Sequence, residues 1–404
     1  MMSHTLYTLY CRVFQGVLKI GNYFMGYHTP EHLEGPGKIR ELGAFLKEKG
    51  INDVLVVTGS GMMRRGQVQP MLDGFDASGI RYTVQTFKRP DPTSDDVELG
   101  YRAYHENGCK AIVALGGGSR IDCAKAIAAK AVHPKKSVSQ LQGLLKVHRP
   151  VPTFVAIPTT AGAGSETTVA AVITDSATHR KASISDPFLI PKYAVLDPEL
   201  TVGLPPHTTA ITGMDALTHA VEAYVNGTYS TKTEDRLAQQ AVKLIHDNIL
   251  TAFENGTDPE ARQNMQRGAF YAGRAFTRCA VGYVHAVGHT LGGLYEVPHG
   301  LAMAVLLPKV MRAYGDAVHK KLAELADVCG MSGNTNAEKT EAFLCWIEDT
   351  NQKMGLPDHF DMIRDADVEQ MVEWAMKEAN PLYPVPVVWG RTELRGFIRS
   401  LQQS

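Results

Sequence analysis

The chain has 404 residues, of which 44% are hydrophobic and 21% charged, and its formal net charge is −1. This length is too great for one ordinary core and predicts two domains in a globular protein. The net charge is near zero and no basic cluster is interleaved with aromatic residues, so we predict no nucleic-acid partner. No run of eighteen apolar residues occurs, so we predict no membrane span and no membrane partner.

Residues 1–29 are predicted to form an N-terminal arm. Apolar residues recur there at roughly helical spacing, with Arg12 and Lys19 between them. The segment lacks a continuous apolar core and a small-residue cleavage site, which argues against a signal peptide. We expect an amphipathic helix that packs on the body of the protein or on a second subunit, rather than a membrane anchor.

Residues 30–204 alternate short β-branched runs with helical patterns. The runs predict strands at 54–58, 82–87, 110–115 and 152–158, and the patterns between them predict helices at about 61–76, 97–107 and 122–130. Strands that alternate with helices are typical of a doubly wound parallel sheet. We therefore predict an α/β dinucleotide-binding domain, whose ligand lies at the carboxyl ends of the strands.

The pattern changes after Pro198, Pro205 and Pro206, which punctuate the chain. Strand-like runs are nearly absent beyond this point, and long amphipathic segments replace them. They fall at 208–226, 231–253, 259–277, 300–313, 317–329, 337–354, 367–379 and 391–402. Residues 205–404 are therefore predicted to form an all-helical domain.

A glycine-rich run, Gly116–Gly117–Gly118–Ser119, leaves the third predicted strand and opens a helix that carries Asp122 and Lys125. Such a loop presents backbone N–H groups and the positive helix end to a phosphate. It is neither the G-x-G-x-x-G fingerprint nor a Walker A loop, and a tight turn without a ligand is the alternative. A second loop, P-T-T-A-G-A-G-S-E-T-T, ends the next strand, and two such loops favour a dinucleotide.

The end of the first strand bears on the choice between NAD and NADP. Many sites that prefer NAD place there an acid that binds the adenine ribose, whereas this chain has Gly59. Arg64 and Arg65 follow shortly and could pair with a 2′-phosphate. The pattern leans weakly to NADP; the alternative is that both arginines are solvated helix surface.

A candidate metal site follows in the second half. Asp215 and His219 are four residues apart, and so are His285 and His289, so each pair shares a helix face. His299 comes ten residues later, and Glu222 shares the face of Asp215. Burying these ligand-type side chains without a common partner would be costly, which favours a metal over satisfied polar residues. Mixed oxygen and nitrogen ligands suit iron(II) or zinc, but spacing alone leaves open which four bind.

Four segments together resemble the iron-containing alcohol dehydrogenase family, the group that includes lactaldehyde reductase, propanediol dehydrogenase and butanol dehydrogenase. They are G-G-G-S-R-I-D-C-A-K-A-I-A, I-P-T-T-A-G-A-G-S-E-T-T, G-M-D-A-L-T-H-A-V-E-A-Y and H-A-V-G-H-T-L-G-G-L-Y-E-V-P-H-G. The resemblance covers roughly residues 30–400. It implies the two-domain fold predicted above.

The resemblance also implies roles for single residues. It implies that His289 lies beside the nicotinamide and substrate as a proton-relay or binding residue. The implied metal ligands are Asp215, His219, His285 and His299. The implied dinucleotide-binding positions are Gly59, Asp91, Gly117, Gly118, Ser119, Asp122, Thr159, Thr160, Val172 and Lys181; at Asp91 many members carry asparagine, and Gly59 replaces the usual acid.

The predicted function is hydride transfer between NAD(P) and a small primary alcohol, diol or aldehyde, assisted by one Fe²⁺ or Zn²⁺. The alternatives are a zinc polyol dehydrogenase of the glycerol dehydrogenase kind, a non-enzymatic nucleotide- or metal-sensing module, and a metallohydrolase. Six scattered cysteines without a C-x-x-C pair favour a reducing compartment, the cytoplasm. The resemblance implies a homodimer or larger homo-oligomer.

Overall fold

The computed structural model describes residues 3–89, 91–178 and 181–402. The chain forms two compact units. An α/β unit comprises Gly26–Leu204 and Thr257–Gln266, and a helical unit comprises Met1–Met25, Pro205–Gly256 and Arg267–Ser404. The helix within the predicted arm, α1 (His4–Phe24), belongs to the helical unit. The domain limits drawn from the sequence stay a prediction.

The α/β unit contains the described strands. They are β1 (Glu31–Glu34), β2 (Asp53–Gly59), β3 (Arg81–Phe87), β4 (Ala111–Gly116), β5 (Gly143–Leu144), β6 (Thr153–Pro158), β7 (Ala170–Thr174), β8 (Lys181–Ser185) and β9 (Tyr193–Leu196). Six of them pair in parallel in the order β1-β9-β6-β4-β2-β3, and β5-β8-β7 form a small second sheet. β3 lies on one side of β2, whereas β4 and the later strands β6 and β9 lie on the other side. The strand order therefore reverses between β2 and β4.

The parallel sheet is buried on both faces, which explains its continuous apolar runs. Every residue of β4 is buried. Ile112 and Ala114 pack in one hydrophobic cluster, whereas Val113 and Leu115 pack in another, because successive side chains point to opposite faces. The helices of this unit are α2 (Lys38–Glu48), α3 (Ser60–Arg64), α4 (Gln69–Ser78), α5 (Ser94–Glu106), α6 (Gly118–Val132) and α7 (Val138–Leu141).

The helical unit contains α1 and the helices after residue 205. These are α8 (Pro206–Val225), α9 (Lys232–Glu254), α10 (Pro259–Cys279, which begins within the α/β unit), α11 (Tyr283–Tyr295), α12 (His299–Tyr314), α13 (Asp316–Val328), α14 (Asn336–Lys353), α15 (Val368–Ala379) and α16 (Arg391–Ser400). The predicted fold class, a parallel α/β domain followed by an all-α region, is confirmed. Among the described helices, none is both long and apolar enough to cross a bilayer.

One sequence prediction of local structure was wrong, and one helix was left out of the predicted segments. The single helix predicted at 61–76 is two helices, α3 and α4, because the turn between them places Gly66 at φ 71°, a left-handed conformation that ends a helix. The helix α11 was absent from the predicted amphipathic segments. Its sequence, YVHAVGHTLGGLY, has buried residues on most sides of its first two turns, which weakens an amphipathic pattern.

Candidate functional site

The helix α8 supplies two of the predicted metal ligands. Asp215 and His219 lie on successive turns, and each is only 5% exposed. Asp215 Oδ1 is 3.9 Å from His219 Nδ1. The His219 ring stacks on Phe276 with 4.1 Å between ring centroids, so one face of the imidazole is packed and its edge faces the carboxylate.

The helix α12 adds His299 because it approaches α8 very closely. A Cβ on Gly300 would lie 2.2 Å from the carbonyl oxygen of Ile211 in α8, so only glycine permits this packing. The preceding residue, His299, then has its Nε2 3.3 Å from Asp215 Oδ1. The His299 side chain remains 44% exposed.

The helix α11 presents His285 from a third direction. Its Nδ1 is 2.6 Å from Oε2 of the buried Glu222, and Glu222 Oε1 accepts a 2.8 Å bond from the Val284 N–H. Because Nδ1 donates to this carboxylate, the lone pair on Nε2 is free to bind a cation. A Cβ at Gly282 would lie 2.8 Å from Glu222 Oε1, so a side chain there would displace the carboxylate that holds His285.

These elements bring ligand atoms of Asp215, His285 and His299 within 4.8 Å of one another. His219 borders this group, and its ring stacks on His285 with centroids 4.6 Å apart. Among the described atoms, Asp215 Oδ1, His219 Nδ1 and His285 Nε2 are buried without a hydrogen-bond partner. A buried polar atom without a partner is costly, so three such atoms in and beside this group indicate a missing ligand that accepts electron pairs from them, such as a cation.

The protonation states suit a cation. Burial lowers the pKa of His219 to about 3 and holds that of His285 well below its ordinary value, so both imidazoles are neutral. Burial alone would raise the pKa of Asp215, but the histidines around it outweigh burial and lower it. Neutral imidazoles and an ionised carboxylate are the forms that metals bind.

His289 lies at the exposed margin of this group, and its ring stacks on His299 with centroids 5.2 Å apart. Its Nδ1 is 2.7 Å from Glu378 Oε1, which also accepts a 3.0 Å bond from the Tyr383 hydroxyl. Burial works against a charged imidazole, but the Glu378 carboxylate more than offsets it and raises the pKa of His289. Glu378 and Tyr383 were missed by the sequence analysis, because no local pattern links them to His289.

In the α/β unit, the predicted dinucleotide residues gather at the carboxyl ends of β2, β4 and β6. Gly59 ends β2, Gly117 and Gly118 follow β4, and Thr159 and Thr160 follow β6. The reversal in strand order falls between β2 and β4. Ligands of open parallel sheets bind in the crevice at such a reversal.

The glycines after β4 leave room at the start of α6. A Cβ on Gly117 would lie 3.6 Å from Thr160 Oγ1, and one on Gly118 would lie 2.9 Å from Ala163 Cβ. Gly118 is therefore required by packing, whereas the fold would tolerate a side chain at Gly117. Ser119 lies in the first turn of α6, where its backbone N–H faces the same crevice end.

Two polar residues of α6 are already held by protein groups. The Asp122 carboxylate accepts 3.0 Å bonds from the Ser165 hydroxyl and the Val172 N–H, which ties α6 to β7. Lys125 is fully buried and donates to the carbonyl and hydroxyl oxygens of Thr168 and to the Ala170 carbonyl. These acceptors hold the Lys125 ammonium in the core, away from the glycine loop.

The remaining predicted positions lie at the surface. Asp91 and Lys181 pair with each other at 2.8 Å, and both side chains are more than half exposed. Val172 is 44% exposed on β7. The roles of these three residues at a dinucleotide stay predictions.

An arginine that the sequence analysis did not single out faces Gly59. A Cβ on Gly59 would lie 3.5 Å from Arg120 Nε, and Arg120 also covers Gly116. Arg120 donates to the Arg89 carbonyl through Nη2, while its Nη1 is buried without a partner among the described residues. Arg64 and Arg65 are exposed, and Arg65 bonds to Gln67 instead.

The comparisons with known proteins agree with this geometry. Residues 30–198 match the family model for iron-containing alcohol dehydrogenase, and residues 209–391 match the model for the C-terminal part of the same family. The chain belongs to the iron-containing alcohol dehydrogenase family.

Relatives within the iron-containing alcohol dehydrogenase family match most of the chain. The NAD-dependent methanol dehydrogenase of Bacillus methanolicus is 36% identical over 361 residues, which cover 88% of this chain and 93% of that protein. The 1,3-propanediol dehydrogenase of Klebsiella pneumoniae is 37% identical, with 86% and 90% covered. A crystal structure of 1,3-propanediol oxidoreductase superposes with a TM-score of 0.89 at 34% identity, covering 94% of this chain and 100% of that one.

The resemblance seen in the sequence is therefore confirmed, and so is the general function. The protein is an alcohol dehydrogenase, an oxidoreductase. Membership of an iron-containing, nicotinamide-dependent family also supports a metal and NAD(P) as its cofactors.

Proposed function

We propose that Asp215, His219, His285 and His299 hold one divalent cation in the helical unit. The observation that carries this proposal is the approach of ligand atoms of Asp215, His285 and His299 to within 4.8 Å of one another. Among the described residues, Asp215, His219 and His285 each also have a buried polar atom without a hydrogen-bond partner. One carboxylate and three imidazoles fit Fe²⁺ or Zn²⁺, and we favour iron. When bound, such a cation supplies Lewis acidity that stabilises negative charge on the oxygen of an alcohol or aldehyde.

Glu222 orients one of these ligands. Its carboxylate fixes the His285 ring and keeps the proton on Nδ1, as carboxylate partners of metal-binding histidines do. The backbone N–H of Val284 holds Glu222 in turn. We therefore assign Glu222 a positioning role rather than a place among the ligands.

His289 is the proposed proton carrier. Since Nδ1 donates to Glu378, Nε2 is the ring nitrogen that can accept a proton from a substrate hydroxyl, and the nearby carboxylate stabilises the imidazolium that forms. In aldehyde reduction the same nitrogen returns the proton. The exposed position of His289 allows exchange of that proton with solvent.

The crevice between β2 and β4 is the proposed dinucleotide site. Gly117, Gly118 and Ser119 offer backbone N–H groups to the pyrophosphate, and Thr159 and Thr160 line the neighbouring strand end. At the adenine ribose, Gly59 offers no carboxylate to bind a 2′-hydroxyl or repel a 2′-phosphate. Arg120, with one buried unpartnered Nη, is a cation in reach of that position, and we favour NADP.

We propose small primary alcohols, diols and their aldehydes as substrates, since relatives are named for methanol, 1,3-propanediol, butanol and lactaldehyde. We also propose a cytoplasmic homodimer or larger homo-oligomer. All six cysteines are free, and five of them are buried, which is consistent with a reducing compartment.

The test is an assay of purified protein in both directions. Metal-depleted protein is reloaded with Fe²⁺ or Zn²⁺ without oxygen, and absorbance of the reduced nicotinamide is followed with butanol, 1,3-propanediol and lactaldehyde. We expect turnover that depends on the metal and is higher with NADP(H) than with NAD(H). Equal turnover of metal-free and loaded protein would contradict the metal assignment, and a preference for NAD(H) would contradict the assignment of Arg120.

A further inference from the structure

The helix α1 docks on the helical unit through its polar side. Arg12 donates to the carbonyl oxygens of Val385 and Pro386, both at 2.8 Å. Gln15 donates to the carbonyls of Pro381 and Tyr383, and Gln15 and Asn22 are buried. These directional bonds fix the rotation of α1 about its axis, so the opposite side of the helix is held outward.

That outward side is apolar and strictly periodic. Its central stripe recurs at alternating intervals of four and three residues. The stripe consists of Leu6, Tyr10, Val13, Val17, Ile20 and Phe24, each at least 49% exposed. A period of 3.5 residues is the spacing that keeps a seam facing a second helix along its length.

The exposed area is large for a surface that stays in water. Nine apolar side chains of α1 keep 36% to 79% of their surface exposed. With about 150–250 Å² for an aromatic side chain and somewhat less for an aliphatic one, they present on the order of 800 Å². The largest apolar patch of a typical monomer is roughly 300–600 Å², whereas about 800 Å² per partner is what a standard protein interface buries.

Two glycines within α1 have no explanation inside one protomer. Gly16 and Gly21 destabilise a helix interior, and a Cβ at either position would meet nothing within 4 Å. Gly16 lies on the exposed side, between Val13 and Val17 along the chain. Small residues at the middle of a helix surface permit the backbone of a second helix to approach closely.

We infer that α1 pairs with α1 of a second copy of this chain, antiparallel and about a two-fold axis near residue 15. Reversal of the helix maps the stripe onto itself: Leu6 faces Phe24, Tyr10 faces Ile20, and Val13 faces Val17 of the other copy. The small residues meet at the centre and the large ones at both ends. Such self-complementarity is what an isologous interface requires.

A lipid surface fits the helix less well. Helices that lie on anionic membranes carry several lysines or arginines beside the apolar face. The helix α1 has only Arg12 and Lys19, and Arg12 is committed to backbone carbonyls. A lipid surface also does not require apolar residues at a period of 3.5.

The pairing is tested by the mass of the assembly. The double substitution Val17→Glu with Ile20→Glu places carboxylates in the seam without touching the docking bonds of Arg12 and Gln15. Analytical ultracentrifugation of the full chain should show particles of half the wild-type mass, with unchanged alcohol oxidation. The control is Leu99→Glu, an exposed apolar residue of α5, which should keep the wild-type mass. An unchanged mass in the double variant would overturn the inference, as would a monomeric wild type.

Cross-linking tests the orientation independently of any loss of folding. In a Cys345→Ser background, which removes the exposed thiol, proteins carrying Val13→Cys or Val17→Cys are mixed and oxidised. The antiparallel pair predicts a disulfide between the two different variants, in at least tenfold excess over links within either variant alone. Predominant links within one variant would overturn the antiparallel arrangement. Binding of the wild type, but not of the double variant, to vesicles of phosphatidylcholine and phosphatidylserine would assign the face to lipid instead.

Discussion

The candidate sites of the two units are built in opposite ways. In the helical unit, charged and polar side chains come together, and three of their buried atoms have no hydrogen-bond partner among the residues that the structure describes. At the crevice between β2 and β4 in the α/β unit, the side chains of Asp122 and Lys125 already bond to protein groups. The groups left for a ligand there are backbone N–H groups, with open space beside Gly117. In our proposal, the first site supplies ligands to a cation, whereas the second supplies N–H groups and room to an anion.

Because of this difference, we expect different kinds of substitution to impair the two sites. Removing a side chain should damage the metal site and leave the dinucleotide site intact. Adding a side chain should damage the dinucleotide site and leave the metal intact.

His285→Ala should have the largest effect. It removes a ligand nitrogen and leaves Glu222 without its imidazole partner. We expect loss of bound metal and a fall in kcat/KM of roughly a thousandfold or more, since Lewis-acid stabilisation contributes several kcal/mol. Titration with dinucleotide should give an unchanged Kd. The control is His105→Ala, since His105 is an exposed histidine of α5. Wild-type activity in H285A would contradict the assignment of His285 as a metal ligand.

Gly117→Val is the converse substitution. A Cβ there would stay 3.6 Å from Thr160, so the fold tolerates it, but the added methyl groups fill the approach to the backbone N–H groups. We expect the dinucleotide Kd to rise about a hundredfold, the equivalent of two lost charge-assisted bonds, with full metal content. Gly203→Val, at a position where a Cβ meets nothing, should bind the dinucleotide normally. Unaltered affinity in G117V would place the phosphates elsewhere.

Glu222→Gln tests the positioning role of Glu222 separately from metal ligation, because it changes no proposed ligand. The amide cannot hold the His285 Nδ1 proton as strongly as a carboxylate does. Loss of such a partner costs about 10–100-fold in metal affinity. Competition with a chelator of known affinity measures this change, and Glu324→Gln, which pairs with Tyr224 rather than with a histidine, is the matched control. Metal affinity equal to wild type in E222Q would remove the positioning role.

Gly59→Asp tests the dinucleotide edge more finely. The carboxylate would lie near Arg120, repel a 2′-phosphate and accept a bond from a 2′-hydroxyl. The ratio of kcat/KM for NADPH over NADH should fall about tenfold or more, for an interaction worth roughly 1.4 kcal/mol. Gly59→Asn has the same shape without the charge and should shift the ratio less. A ratio that stays constant in G59D would exclude Gly59 as a determinant of cofactor choice.

The pH dependence of folding should arise partly in the α/β unit. Burial raises the pKa of Glu166 from 4.5 to about 7, so between these values the folded chain holds a proton that the unfolded chain has lost. The free energy of unfolding should therefore decrease as pH rises from about 5 to 7, by at most roughly 3 kcal/mol. Denaturant titrations should show a smaller decrease in Glu166→Gln. An equal slope in both proteins would contradict a buried, protonated Glu166.

The sequence identified the side chains that meet at the proposed metal site better than it identified the residues around them. Spacing of four residues revealed Asp215 with His219, because helix geometry is local. It could not reveal that Gly300 brings His299 to Asp215, since that depends on the packing of α12 against α8. The partners of His289 come from α15 and the chain after it, about ninety residues away, and no local pattern marks them.

In the α/β unit, buried strands were predictable because both faces are covered and their apolar runs are continuous. The strands β1, β5, β7, β8 and β9 were not predicted. The first four are partly exposed and depend on their neighbours, whereas β9 is buried but only four residues long. The direction of the Lys125 side chain was likewise set by tertiary acceptors on Thr168 and Ala170. The sequence shows where the glycine loops lie. It does not show which of their glycines the packing requires.

Anomalous diffraction at the iron absorption edge, from crystals grown without oxygen, would locate the cation itself. We predict one peak per protomer, about 2.0–2.2 Å from one oxygen of Asp215 and from one nitrogen each of His219, His285 and His299. If the cation instead binds His289 in place of one of these ligands, or if no peak appears between α8, α11 and α12, the proposed metal centre is contradicted.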